Sequence, residues 1–262
     1  MGNAMGAGAN AGGAALSIRE VAGLSDLGLQ CADEILRIFR ERQAAGAVPS
    51  VALTGGRAGA AVLAALGARA QADPGIDGVA AGVDWRRVRF VWGDERWLPT
   101  GDAERNDLLA DSTLFRVVQV PAANVRRVAS SDTELSLEAA ASTYSSVVAS
   151  LGRLDIVLCG VGEDAHVASL FPGRDDLLGD GPGTPYAIAV RDSPKPPAER
   201  VSLTLPALRR AERVWLLACG SGKAEAVADL RSRREPLVPA ARVSGRQATV
   251  LWADAAALGT QA

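Results

Sequence analysis

Between Ser25 and Ala45 apolar residues recur at helical spacing, Leu27, Cys31, Ile35, Leu36 and Phe39, with charged positions between them. That pattern predicts an amphipathic helix. Short apolar runs without this period follow. Ser50 to Thr54, Val88 to Trp92 and Ile156 to Cys159 read as strands, joined in the second half by Tyr186 to Val190, Val201 to Leu205, Val214 to Ala218 and Ala248 to Trp252. Helices are expected through the alanine-rich stretch to about Ala72, where Asp73-Pro74-Gly75 stops it, then from Asn106 to Leu114, from Glu134 to Ser150, and after Lys223 to about Leu230. A short helical turn is expected after His166, over Val-Ala-Ser-Leu. Strand, glycine loop and helix in repetition predict right-handed βαβ units on a mostly parallel sheet, an α/β fold. No stretch is rich enough in Pro, Gly or Ser to divide it, so residues 16–262 read as a single domain behind a disordered leader over 1–15.

Composition narrows the class. The 262 residues are 48% hydrophobic and 22% charged, ordinary values for one large α/β domain with a full core. A net charge of −2 gives no electrostatic case for nucleic acid or an anionic membrane. Nothing approaches the ~20 consecutive apolar residues of a membrane span, and the first residues lack the basic start of a secretory signal. Cys31, Cys159 and Cys219 are widely separated and read as reduced thiols of a cytoplasmic protein. One histidine and no Cys-x-x-Cys pair make a zinc site improbable, and no metal is expected.

The unusual chemistry gathers at four strand ends: Gly55-Gly56-Arg57, Asp94-Glu95-Arg96, Gly162 to His166, and Gly220 to Lys223. In a doubly wound sheet these ends converge on one edge, where ligands bind. Histidine is the side chain able to act as both base and acid near neutral pH, and His166 is the only one present. Glycines at a strand-to-helix turn admit an oxyanion to backbone N–H groups, although a Gly-Gly pair also serves a plain tight turn. The loop matches neither the P-loop nor the dinucleotide pattern. Lys223 at a helix start opposes the helix dipole, a conflict that a bound phosphate would remove. Asp94-Glu95-Arg96 reads in three ways: an ion-pair cluster, an Arg96 that binds a substrate oxygen while Asp94 orients it, or acids that transfer protons.

These residues carry a resemblance. Val91-Trp-Gly-Asp-Glu-Arg-Trp-Leu-Pro99 with Glu104-Arg-Asn106 resembles the Asp-Glu-Arg block of the 6-phosphogluconolactonases, and Gly160 to Gly173 resembles their histidine block. Ser193-Pro-Lys-Pro-Pro with Arg200 to Ala207, Val214 to Ala224, Leu53 to Gly59, and Gly245-Arg-Gln with Leu251 to Asp254 are similar to further blocks, in family order over roughly residues 20 to 258. The resemblance implies a Rossmann-like doubly wound fold with helices on both faces, shared with glucosamine-6-phosphate isomerase/deaminase. It also implies hydrolysis of 6-phospho-D-glucono-1,5-lactone in the oxidative pentose phosphate pathway without metal or organic cofactor. By motif, His166 would be the general base, Arg96 the ligand of substrate or oxyanion with Asp94 holding it, and Gly55, Gly56, Arg57, Gly162, Arg200 and Lys223 would serve substrate and phosphate binding.

Two departures stand out. Ala165 occupies the place before the histidine where the family usually has glycine, and an alanine at φ > 0 costs roughly 1 kcal/mol or more. Gly56-Arg57-Ala58 stands where Gly-Ser-Thr-Pro is common, so hydroxyl ligands are replaced by a charge, and Arg57 is expected to face solvent. The rival aminosugar-phosphate deaminases continue their histidine block to Phe-Asn-Glu; here Ala168-Ser169-Leu170-Phe171 follows and the acid is missing. A non-catalytic sugar-phosphate sensor would bring a DNA-binding helix-turn-helix, for which a leader of ~15 residues and one helix leave no room, so a degenerate sugar-phosphate-binding protein is the remaining alternative, on account of Ala165.

Overall fold

The computed structural model describes residues 13–260. In chain order these form β1 (Leu16–Val21), α1 (Leu24–Ala44), β2 (Ser50–Leu53), α2 (Gly56–Ala72), the short hairpin β3 (Val79–Ala80) and β4 (Val83–Asp84), β5 (Arg89–Trp92), β6 (Asp94–Arg96), α3 (Asn106–Ala110), α4 (Leu137–Ser150) and β7 (Ile156–Gly160). There follow β8 (Ala187–Val190), β9 (Arg200–Leu203), α5 (Leu205–Arg209), β10 (Arg213–Ala218), α6 (Ala224–Ser232), α7 (Pro239–Arg242), β11 (Ala248–Asp254) and α8 (Ala255–Leu258).

Six strands pair in parallel in the order β1-β11-β10-β7-β2-β5. Side chains alternate across a strand, so each strand feeds two cores. Leu53, Trp92, Leu158, Leu217 and Trp252 pack on one face with Leu27, Ile35 and Phe39 of α1 and Leu63 and Leu66 of α2. Ala52, Val91, Val157, Leu216 and Leu251 pack on the other with Tyr144 of α4, Leu208 of α5 and Val227 of α6. Burial on both faces is why these strands read in the sequence as unbroken apolar runs. At the amino end of the sheet Asp155, buried, accepts from the Ser50 N–H (2.9 Å) and Oγ (3.2 Å) and pairs with Arg42 Nε (2.7 Å), pinning the end of α1 to β2 and β7.

The structure departs from the sequence reading in several places. The strands near 186–190 and 201–205 do form, as β8 and β9, but they build a separate antiparallel sheet in the order β6-β9-β8. Gly93 is the joint between the two sheets: its N–H donates to Leu53 O and its carbonyl accepts from Leu203 N–H, each at 2.8 Å. The edge strand β1 was not expected, because four of its six residues are exposed and no apolar run marks it. The helix near 106–114 is α3 followed by a π-helical turn, Asp111–Phe115. No helical turn follows His166; Val167 and Leu170 form an isolated antiparallel bridge instead. Of the leader expected over 1–15, residues 1–12 lie outside the described residues, and Ala14 N–H donates to Gly245 O at 2.8 Å. Among the described residues no helix is long and apolar enough to cross a membrane.

Candidate active site

The carboxyl ends of β2, β7, β10 and β11 and the start of the second sheet open on one cleft of about 330 Å³. All nine residues singled out from the sequence line it: Gly55, Gly56, Arg57, Asp94, Arg96, Gly162, His166, Arg200 and Lys223. They come from five separate segments, brought together by the strand ends of the parallel sheet and by the antiparallel pair β6 and β9.

Gly55 caps α2 without any side-chain hydrogen bond, so the first amides of a 17-residue helix face the cleft with their partial positive charge. A Cβ on Gly55 would lie 1.8 Å from Asn106 Oδ1, and Gly56 adopts φ 69°. Arg57 is exposed at the rim.

After β7 the chain turns sharply around His166. Gly162 N–H donates to His166 O (2.9 Å) and Ala165 N–H to Gly162 O (3.0 Å). Nδ1 of His166 lies 2.5 Å from Asp164 Oδ1, and the ring rests on Phe171 with centroids 4.7 Å apart. A Cβ on Gly162 would stand 2.0 Å from His166 Nδ1 and 2.4 Å from Asp164 Oδ1. Glycine is required there. Burial alone would raise the Asp164 carboxyl, but the His166 hydrogen bond and the charges of His166 and Lys195 outweigh it and hold it well below the usual carboxylate range. Ala165 adopts φ 61°, the strained conformation anticipated for this departure, and Ala168 beside the cleft adopts φ 49°.

The second sheet supplies the opposite wall. Arg96 donates from Nη1 to Glu104 O, and its buried Nε has no partner among the described residues. Asp94 does not hold Arg96, contrary to the sequence reading. Its Oδ2 accepts from Ser169 Oγ at 2.7 Å and lies 3.7 Å from Arg200 Nη1. Glu95 points away from the cleft and accepts from the backbone N–H groups of Arg96 (2.7 Å), Asn106 (2.7 Å) and Asp107 (2.8 Å), fixing the start of α3. Burial pushes its carboxyl up to about 7, against the pull of the Asn106 amide and the Arg105 charge.

Arg200 also differs from expectation. Its Nε donates to Pro197 O (3.1 Å) and its Nη2 to Lys195 O (3.0 Å) and Pro196 O (2.8 Å), so only Nη1 remains toward the cleft. Lys223, half-buried, stands immediately before α6; burial lowers it below the ordinary lysine range, helped by the Lys195 and Arg57 charges and opposed by Glu163. Gly220 before it adopts φ 93° and donates its N–H to Asp254 at the end of β11, at 3.0 Å.

Four lining or supporting residues were not picked out from the sequence: Asp164, Asn106, Asp254 and Lys195. Asp164 was legible in its spacing, two residues before a histidine in a glycine turn. Lys195 was hidden in a proline-rich stretch that reads as a surface loop, yet it lines the cleft with Nζ 3.5 Å from Asp164 Oδ1. Among the described residues no group of three or more His, Cys, Asp or Glu side chains is placed to hold a metal ion.

The family described as glucosamine-6-phosphate isomerases/6-phosphogluconolactonase matches residues 24–252. The 6-phosphogluconolactonase of Mycobacterium tuberculosis is 41% identical over 212 residues, covering 77% of this chain and 80% of that protein. That of Streptomyces coelicolor is 41% identical over 233 residues, covering 83% and 84%. A solved 6-phosphogluconolactonase from Trypanosoma brucei superposes with TM-score 0.78 at 25% identity, covering 95% of this chain and 99% of that one.

Proposed function

The chain belongs to the glucosamine-6-phosphate isomerase/6-phosphogluconolactonase family, and from that membership we propose that it hydrolyses 6-phospho-D-glucono-1,5-lactone to 6-phosphogluconate with His166 as general base. The observation that carries the mechanism is the His166–Asp164 pair at 2.5 Å, in a cleft that Arg57, Arg96, Lys195 and Lys223 also line. Nδ1–H donated to Asp164 leaves the lone pair on Nε2. That nitrogen takes a proton from water as the oxygen attacks the C1 carbonyl. Arg96, which lines the cleft, receives the charge that develops on the carbonyl oxygen. The tetrahedral intermediate collapses by breaking the bond from C1 to the ring oxygen, and the imidazolium returns its proton to that oxygen. The carboxylic acid formed then ionises in solvent.

The phosphate belongs against the open amides of α2 and the Lys223 ammonium, within reach of Lys195, with Arg57 at the rim. A dianion gripped there fixes the reacting carbon against His166 and converts binding energy into orientation. Every step uses protons and fixed charge, so the reading needs no metal and no organic cofactor.

The aminosugar-phosphate deaminase reading has less support. Where those enzymes resemble this block they place a carboxylate after the histidine; here the cleft meets the methyl group of Ala168. The test is direct. Purified protein should accelerate opening of the phosphorylated lactone well above its spontaneous rate and release no ammonia from glucosamine 6-phosphate. Ammonia release without lactonase activity would reverse the assignment.

A further inference from the structure

The Ser193–Arg200 segment contains a clamp that the proposed reaction does not by itself explain. Lys195 stands on a proline-rich loop, with its ammonium in the cleft and 3.5 Å from Asp164 Oδ1. Its backbone is held from two sides. Ser193 Oγ donates to Lys195 O at 2.8 Å and accepts from Lys195 N–H at 3.3 Å. Arg200 Nη2 donates to the same carbonyl at 3.0 Å and to Pro196 O at 2.8 Å, while Nε takes Pro197 O at 3.1 Å. Three successive carbonyls are thus gripped by one planar guanidinium, a geometry that an ammonium cannot copy.

The guanidinium is itself immobilised. Arg200 is 5% exposed, its charged plane lies 6.0 Å from the Phe171 ring centre, and Nη1 is 3.7 Å from Asp94, which Ser169 orients. A cation with three donor contacts already committed to backbone has little left for a phosphate. We propose that Arg200 is a positioning residue: with Ser193 it clamps the Lys195 carbonyl, and the substrate's phosphate is read by Lys195 and not by Arg200. This rests on the lactonase reading for the identity of the ligand, and it gives two residues of one motif different tasks.

A double-mutant cycle on 6-phosphogluconate binding by the full chain tests it. Lys195→Ala should weaken binding by about 10- to 100-fold, the range of a lost charge-assisted contact. Arg200→Lys keeps the charge and loses the fork, and should weaken binding by about tenfold in the wild-type background but by less than about twofold once Lys195 is alanine. Ser193→Ala, on a partly exposed loop, should show the same non-additivity and keeps the test open if the buried Arg200 variant does not fold. Full additivity overturns the proposal by making Arg200 act independently of Lys195, and Arg200→Lys binding as wild type does overturns it by showing that the fork is not needed. If the wild-type chain binds no 6-phosphogluconate, the functional reading fails, and the same cycle run with inorganic phosphate still decides the clamp.

Discussion

Asp164 Oδ1 and His166 Nδ1 meet at 2.5 Å in the space a side chain on Gly162 would fill. Asp164 holds the imidazole in one orientation through Nδ1, which is what the proposed base role requires. Asp164 remains ionised well below the usual carboxylate range, so it serves as a fixed charge throughout the pH range of the reaction.

His166→Asn should therefore leave fold and phosphate binding in place while lowering the lactonase rate by ~10²–10⁴-fold, the worth of a positioned proton acceptor. Asp164→Asn should cost about 10²-fold, since the amide presents the wrong partner to Nδ1. Rates corrected for spontaneous hydrolysis measure both. Wild-type turnover in the His166 variant would sink the base assignment.

Gly162→Ala separates crowding from chemistry. The added methyl would sit 2.0 Å from the imidazole and 2.4 Å from the carboxylate, far inside van der Waals contact, so the pair must move apart. The turnover number should fall nearly as far as in Asp164→Asn. Product affinity, to which the α2 amides and Lys223 contribute, should change less than turnover. Retained turnover would mean that the 2.5 Å contact is dispensable.

The sheet was legible because burial on both faces turns strands into apolar runs, and the site because its residues sit at the ends of those runs. What stayed hidden follows from the same physics. β1 lies at the sheet edge with exposed residues and carries no apolar signature. Residues 187–190 and 200–203 announce strands but not the sheet they join, since antiparallel pairing is decided by the Gly93 joint and not by local composition. Motif order placed Arg200 at the site; only coordinates reveal that its donors are turned onto Lys195, Pro196 and Pro197. The partner of Asp94 likewise lies 106 positions on, at Arg200, and not two residues away at Arg96.

Asp155 offers a test of the fold apart from the site. Its carboxylate satisfies the Ser50 N–H and hydroxyl at the amino edge of the sheet and meets Arg42. Asp155→Ala leaves a buried N–H without a partner and should destabilise the chain by about 2–4 kcal/mol. The denaturant midpoint would fall while the lactonase rate of the remaining folded protein stays unchanged. An unshifted midpoint would show that water replaces the carboxylate.

Exhaustive chelation followed by assay tests the metal-free mechanism. The charge on the carbonyl is assigned to Arg96 and the proton to His166, so activity should survive unaltered. Activity lost to the chelator and restored by a divalent ion would mean that a Lewis acid does the work given to Arg96.

Lys223 carries the last prediction, because the charge proposed to hold the phosphate is weakened by its surroundings. Lys223→Ala should weaken 6-phosphogluconate binding by roughly 1–3 kcal/mol, the range for a charge-assisted hydrogen bond, and barely affect an unphosphorylated lactone. Burial, with Lys195 and Arg57 nearby, holds the ammonium below its ordinary value of 10.5, so the free protein loses that proton earlier than a solvated lysine would. Affinity for the phosphorylated product should therefore begin to fall at a pH below 10.5 as pH rises. Lys223→Arg, whose guanidinium stays charged, should extend the plateau upward. Arg57→Ser should matter little, since Arg57 is exposed at the rim and salt and water screen it. Titration of product binding against pH in the wild type and Lys223→Arg decides the matter. If both lose affinity at the same pH, the group that titrates is not Lys223, and the phosphate rests on other cations of the cleft.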